Sequence, residues 1–487
     1  MRRIISNLTK SIIFMLAYDA TERQRCCQRM FQGSSGMDFT PSTSSSMPRT
    51  GSAHTMNMRG LMMLMGFLFF IIGVLTWING PLIAFSKVAF SLDDNKTFLI
   101  PTVFYTAHLL AAFPCAWLTG RLGAKPGMML SLLGMAGGCI GFVLCSVMQF
   151  YPGALAALFV TGSSVTLLGI TINPYVTGMG PFDSAAWRIA IMGLCNKAAG
   201  IIVPVVFGKT TLSTLGSTIR ALSTTTDLAG RTVLLSHFAH RIVLPYLLLA
   251  AGLAMTALVI RFITLPPLRF HAMEDGEAQN PGQQPSGHGQ WLLWLGAACL
   301  FLYVGVEAIA GDAIGTYGNH LGLDVDNTKF FTSLTFCMMI VGYLCGLAVI
   351  PRIMSQLQFL AFAATVGMFL SAGAVLTSGM LSVWCMAGLG FSDAMMWPSL
   401  YPVAIRGLGR RTLHGTAITV MATSGGAVLP KLFVWLATMH DFRFAFGIIL
   451  VPAYLFILSY SLWAMRITAD KGQAAGRDAT LPDIPAL

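Results

Sequence analysis

From about residue 60 onward the chain alternates long apolar runs with short polar stretches, and this rhythm governs everything else in it. A bilayer's hydrocarbon core is about 30 Å thick, so an α-helix needs roughly 20 mainly apolar residues to cross it. Twelve runs qualify: 60–83, 98–120, 127–149, 153–178, 187–211 and 242–264, then 290–318, 328–350, 357–378, 381–405, 413–437 and 442–465. The pattern predicts an all-α integral membrane protein of twelve transmembrane helices. Between the sixth and seventh runs lies LPPLRFHAMEDGEAQNPGQQPSGHG (265–289), whose Pro, Gly and Gln content reads as a linker between six-helix bundles at 58–264 and 290–466. Residues 467–487 read as a tail.

Residues 1–57 do not share the rhythm. Arg2, Arg3, Lys10, Arg23, Arg25 and Arg29 precede the run TPSTSSSMPRTGS, whose composition predicts a disordered extension. SIIFML (11–16) is too short to span and has no small-residue cleavage site near it, which argues against a signal peptide. An over-called start is an alternative, because Met47, Met56 and Met58 all precede the first span.

Composition agrees with the membrane reading: 55% of residues are hydrophobic, 10% are charged and the mean hydropathy is +0.71. A soluble chain carries about a quarter charged residues. The net charge of +11 does not indicate nucleic-acid binding, since the basic residues are scattered between apolar runs instead of forming a patch with interleaved aromatics. Their bias sets an orientation instead. Arg121, Lys125, Arg188, Arg261, Arg269, Arg352, Arg406, Arg410, Arg411, Arg466 and Lys471 gather on the side of the two termini, which predicts cytoplasmic termini in a cell (inner or plasma) membrane. Cys115, Cys139, Cys145, Cys195, Cys299, Cys337, Cys345 and Cys385 lie in apolar runs without zinc or disulfide spacing.

Against this apolar background the ionisable residues stand out. A carboxylate at the centre of a transmembrane helix costs about 2.5–3.5 kcal/mol, so one placed there faces protein or water. Glu307 and Asp312 both occur in span seven, with Tyr303 a turn before the first. In a straight helix their five-residue spacing sends them to different faces. Gly305, Gly311, Gly315 and Gly318 predict a loosened helix there; the alternative is a helix end with Asp312 at the surface. Lys197 in span five and Asp393 in span ten complete the mid-membrane charges. An unpaired ammonium would be costly, so Lys197 is expected to pair with an acid of the second half, Asp312 first and Asp393 second, unless it reaches a backbone carbonyl or a water-filled cavity. Lys431 is expected to snorkel outward, His108 to be a satisfied core histidine and His414 to meet water.

The two halves echo each other. GIIVP (200–204) in span five matches GAVLP (426–430) in span eleven; Asn173–Pro174 and Trp397–Pro398 each lead to a Gly-x-Gly, at 178–180 and 407–409. Parallel six-span repeats with interrupted helices characterise major facilitator transporters. At these motifs the chain resembles the fucose/glucose/galactose permease branch of that superfamily. The resemblance rests on NPYVTGMGPFDSAAWRIAIMGLCNKAAG (173–200), with Asn173, Pro174, Gly180, Pro181, Arg188 and Asn196 as matching positions. It is carried further by YVGVEAIAGD (303–312), TWINGPLIAF (76–85), Trp397–Pro398 and RGLGRRTLHGT (406–416). It implies a major facilitator fold of two six-helix bundles. It also exposes departures: the acids that fucose permeases carry in spans one and four fall on Gly80 and Gly169, and a span-five Gln falls on Gly193. Asp393 stands where Asn is usual, Lys197 where small polar residues are usual, and Gly120 replaces the acid of the general facilitator motif in GRLGAKPG (120–127).

A hexose is neutral and hydroxyl-rich, so a site for it needs amides and carboxylates for its hydroxyls and aromatic faces for its C–H surface. Asn79, Trp77, Asn173, Asn196, Tyr303, Glu307 and Trp397 supply that inventory, with Lys197, Asp312 and Asp393 as the coupling or ion-pair set. For Asn173 the alternative is a helix-breaking role before Pro174, and for Trp77 and Trp397 a packing or interfacial one. The expected function is secondary active transport of a glucose- or galactose-type hexose with a proton or sodium ion, by a monomer in a lipid bilayer, without cofactor, metal or nucleic acid. A uniporter or symporter of another small polar metabolite and a transport-dead receptor are the alternatives. An enzyme is not expected, because HExxH, paired metal ligands and a nucleophile elbow are all missing from the sequence. Nor is there a GxxxxGK[ST] loop, so concentrative work would draw on an ion gradient.

Overall fold

The computed structural model describes residues 58–478 apart from 93, 98, 181–183, 214, 225–226, 266–286, 321–330, 351, 407 and 409–410. The expected extension at 1–57 and most of the 265–289 linker lie outside the described residues, as do the side chain of Asp312 and residues 479–487.

Every described element is helical, as the bilayer demands of a backbone that has no water to bond. Among the described residues, ten helices are long and apolar enough to cross a membrane, and Ser333–Val349 is a shorter apolar helix. Each of the twelve expected runs falls on a helix or a helix pair. Span one is Met58–Trp77 followed by Asn79–Ala89, and span ten is Gly379–Ala394 followed by Met396–Ala404. Proline sets both interruptions. Its ring clashes with the carbonyl four residues back and it has no N–H to give that carbonyl. Pro81 ends the first helix at Trp77 and Pro398 ends the other at Ala394, each four residues upstream. Span eleven is also jointed, Thr412–Met421 and Gly425–Met439 meeting through a 3-10 turn at Ala422–Ser424.

Span seven departs from expectation. Despite its glycines it is one uninterrupted helix, Gly287–His320, which begins inside the stretch read as linker. The last helix, Phe442–Asp478, likewise runs beyond 465.

The chain forms two compact units. The smaller comprises 1–63 and 264–266, of which the described residues are the start of the span-one helix, Met58–Met63, with Thr264 and Leu265. The larger, 64–263 and 267–487, holds the rest. Within it, spans two, three, four and six pack among themselves, as do spans seven to twelve. Spans two and four meet span eleven across the divide, and span five meets spans eight and ten. Large apolar side chains on the outward faces, among them Leu144, Leu248, Phe369 and Leu376, are exposed as lipid-facing residues would be.

At one end the two sets of spans are sealed by a mix of small and branched apolar side chains. Ala112, Cys115 and Ala116 of span two, Leu167 and Ile170 of span four, and Ala417 and Val420 of span eleven form a buried cluster. Small residues let helix backbones approach closely, so dispersion contacts take the place of long side chains. The seal lies toward the end that carries Arg121, Arg406 and Arg411.

Candidate functional site

Lys197, Glu307 and Asp393 are all buried, with 5%, 7% and 0% of their surfaces exposed. The Lys197 ammonium donates to Glu307 Oε1, joining span five to span seven. This corrects the expected order of partners, which set Asp312 and Asp393 ahead. Two physical causes decide it. Because span seven stays a continuous helix, positions 307 and 312 diverge by roughly 140° around its axis, and the face turned to span five is that of Glu307. Asp393 is engaged elsewhere: Tyr454 of span twelve donates its hydroxyl to Asp393 Oδ1 at 2.8 Å.

The ion pair is held in a polar and aromatic setting. Lys197 Nζ lies 4.3 Å from the centre of the Trp77 ring, close enough for the ring's negative face to attract the ammonium. Trp77 Nε1 donates to Asn196 Oδ1 at 3.1 Å, and Asn196 Nδ2 donates to the Phe69 carbonyl at 3.3 Å. One amide thereby fixes the tryptophan and ties span five to span one. The edge of Trp77 meets Phe336 of span eight, the rings 4.6 Å apart at 79°. The Tyr303 side chain lies beside Glu307, one turn away on the same helix. Trp77, Asn196, Lys197, Tyr303 and Glu307 are therefore one connected cluster spanning the two sets of helices.

The other sequence-derived candidates satisfy local partners. Asn79 Nδ2 donates to the Thr76 carbonyl at 3.1 Å and Asn173 Nδ2 to the Gly169 carbonyl at 2.8 Å. Both asparagines keep a buried Oδ1 without a partner among the described residues. The helix continues through Asn173–Pro174 to Gly178, so this pair does not break span four. Trp397 stacks on Tyr401, the rings 5.8 Å apart and 7° from parallel, while the Tyr401 hydroxyl meets Thr416 Oγ1 at 3.0 Å. His108 is buried with Nδ1 3.1 Å from the Phe104 carbonyl, and Lys431 and His414 are exposed.

Three residues reached the site unannounced. Tyr343 of span eight lies flat against Gly193, where an added Cβ would come within 2.6 Å of its hydroxyl oxygen. The tyrosine thus fills the space at the position where the family resemblance places a Gln side chain. Tyr454 and Phe336 are the other two. Gly342 and Gly346 beside Tyr343 were the available signal, since they mark a face approached closely by another helix. Arg188 was counted among surface charges, yet it is 5% exposed. It donates to the carbonyls of Val176, Thr177 and Gly180, at and just beyond the end of span four, and to Ser184 Oγ.

No protein-family model matches the chain. Over 398 residues it is 31% identical to a glucose/galactose transporter of Brucella abortus, a match covering 81% of this chain and 92% of that protein. The chain belongs to the fucose/glucose/galactose permease family of the major facilitator superfamily. An L-fucose-proton symporter of Escherichia coli K12 is 24% identical over 372 residues, covering 75% of this chain and 84% of that one. The crystal structure of the major facilitator transporter FucP in the outward conformation shares the fold, with a TM-score of 0.70 at 20% identity over 83% of this chain and 98% of that one. This permease is a multi-pass membrane transporter and not an enzyme. At its Gly80 an added Cβ meets nothing within 4 Å, and at Gly169 the nearest atom is Asn173 Nδ2 at 3.7 Å. Neither position is crowded by a neighbour that has taken an acid's place.

Proposed function

We propose that this permease moves a glucose- or galactose-type hexose by alternating access, together with a proton. The observation that carries the reading is the Lys197–Glu307 pair, which bridges the two sets of spans beside Trp77. A carboxylate and an amide can each bind adjacent sugar hydroxyls, and an aromatic face suits the C–H side of the ring. A sugar hydroxyl donating to Glu307 competes with Lys197, so binding weakens the bridge. Asn79, Asn173, Tyr303 and Trp397 extend the same polar and aromatic lining. The names of the relatives, glucose/galactose transporter and L-fucose-proton symporter, support both the solute class and the ion.

In this reading the bundles 58–264 and 290–466 rock against each other as a monomer in the inner or plasma membrane. The termini and the 265–289 linker are cytoplasmic. Arg121, Arg261, Arg352, Arg406, Arg411 and Arg466 support that orientation, and the buried Arg188 drops out of it. The apolar seal then closes the cytoplasmic end.

Uptake of radiolabelled glucose and galactose into proteoliposomes, with an imposed proton or sodium gradient, tests the proposal. Accumulation should follow the proton gradient. Glu307→Gln should lower kcat/KM about tenfold or more, because an amide cannot reproduce a carboxylate that accepts two hydroxyls, and Asn196→Ala should do so by removing the amide that holds Trp77. Normal kinetics in both variants refute the site. An uncoupled uniporter is the second reading, favoured by Gly80 and Gly169 at the family's acid positions, and uptake indifferent to both gradients selects it.

A further inference from the structure

The ion pair leaves one acid over. Lys197 is a single cation among two buried carboxyl groups, Glu307 and Asp393, and it is committed to Glu307. Asp393 is fully buried in span ten, it lies within electrostatic range of both Glu307 and Lys197, and Tyr454 is its one hydrogen-bond donor among the described residues, at Oδ1. Its Oδ2 is buried and has no partner among the described residues. A buried carboxylate is tolerated when donors or a cation surround it, and an isolated one costs several kcal/mol. With one donor and no uncommitted cation beside it among the described residues, the neutral acid is the form this pocket accommodates, its proton on Oδ2.

We infer that Asp393 is the proton-carrying residue of this permease, with Tyr454 positioning it, so that coupling chemistry resides in the C-terminal half while Gly80 and Gly169 stand at the family's acid positions. The inference rests on the proposed proton-coupled transport and adds the site of the proton. The charges balance simply. With Asp393 protonated, the cluster holds Lys197 positive and Glu307 negative and is neutral. When the Asp393 O–H ionises, its proton passes to water on the side then open, and the cluster carries one negative charge. Lys197 then answers to two carboxylates, both in the C-terminal half, and the junction between halves tightens. Protonation removes one of them and leaves a single ion pair, which sugar hydroxyls can displace.

The groups facing Asp393 from its neighbours are Glu307 and Tyr303 of span seven, Lys197 of span five, Tyr343 of span eight and Tyr454 of span twelve. Span nine, Gln356–Leu376, packs on the same helix and has no titratable side chain.

Asp393→Asn imitates the protonated acid in shape. In proteoliposomes it should abolish proton-driven accumulation and the alkalinisation that sugar elicits outside, while sugar-for-sugar exchange, which needs no net proton movement, persists. Tyr454→Phe removes the donor that stabilises the ionised form, and should move the pH profile of uptake to higher pH by about one unit. Asp393→Glu should restore part of the accumulation. Proton-driven accumulation surviving in Asp393→Asn overturns the inference, as does an unmoved pH profile in a folded Tyr454→Phe. If the unaltered protein shows no proton-driven sugar uptake, it is the underlying reading that fails, before Asp393 is in question.

Discussion

Arg188 caps a helix end that would otherwise face the start of the next one. The last carbonyls of a helix have no internal donors, and its C-terminal end carries partial negative charge. Arg188's hydrogen bonds answer both needs at Thr177 and Gly180 and add a second donor at Val176, whose carbonyl also accepts from the Met179 N–H. Bonds to a charged group are worth about 1.5–3 kcal/mol each, and buried acceptors left without donors cost about as much. Arg188→Ala should therefore lower the melting temperature of the detergent-solubilised protein markedly, and Arg188→Lys, with a single point charge in place of a planar fork, should recover only part of it. Unchanged melting in Arg188→Ala contradicts the capping role. The linear sequence offered Arg188 as one basic residue among several near span ends. Its burial follows from the carbonyls at the end of span four, which its guanidinium reaches from the start of span five.

Helix interruptions were more legible than helix rotations. The breaks after Trp77 and Ala394 fall four residues before Pro81 and Pro398, although Pro114, Pro174, Pro204 and Pro452 lie inside uninterrupted helices. Glycine carries no such instruction: Gly305 and Gly311 weaken helix propensity, yet in span seven the helix persists, and Gly305 instead packs closely on Leu429 of span eleven. The sequence could reveal that Lys197 needs an acid and that Glu307 sits mid-span. Which acid meets it depends on the rotation of span seven and on Tyr454, 61 residues from Asp393 along the chain. Those are properties of packing between helices. The crossing of spans five and eight gives a direct test. Gly193→Gln installs the side chain that the family resemblance puts there, and it should collide with Tyr343 and reduce folded protein in fluorescence-detected size-exclusion chromatography. Adding Tyr343→Ala should recover much of the loss. If Gly193→Gln alone folds normally, the two side chains do not compete for that space.

At the scale of the whole molecule, two kinds of contact hold the halves together. Near mid-span there is the charged and aromatic cluster around Lys197, and toward the basic end there is the seal built from Ala112, Cys115, Ala116, Leu167, Ile170, Ala417 and Val420. In the proposed mechanism the first responds to solute and protons. The second has no charge to switch, and its tightness comes from the close fit of its apolar side chains. It thus works as a gauge with a narrow tolerance. An oversized side chain wedges it open without touching the chemistry at the centre. Replacing Ala417 by Phe should bias the resting protein away from the conformation closed at that end. At about 1–3 kcal/mol for overpacking, the population ratio should change roughly 5–150-fold. The thiol of Cys115, 8% exposed in the sealed form, reports the change: its labelling by a polar maleimide should accelerate in Ala417→Phe and stay slow in Ala417→Ser. Equal labelling in the two would mean that the gap between spans two and eleven has slack that the packing does not show.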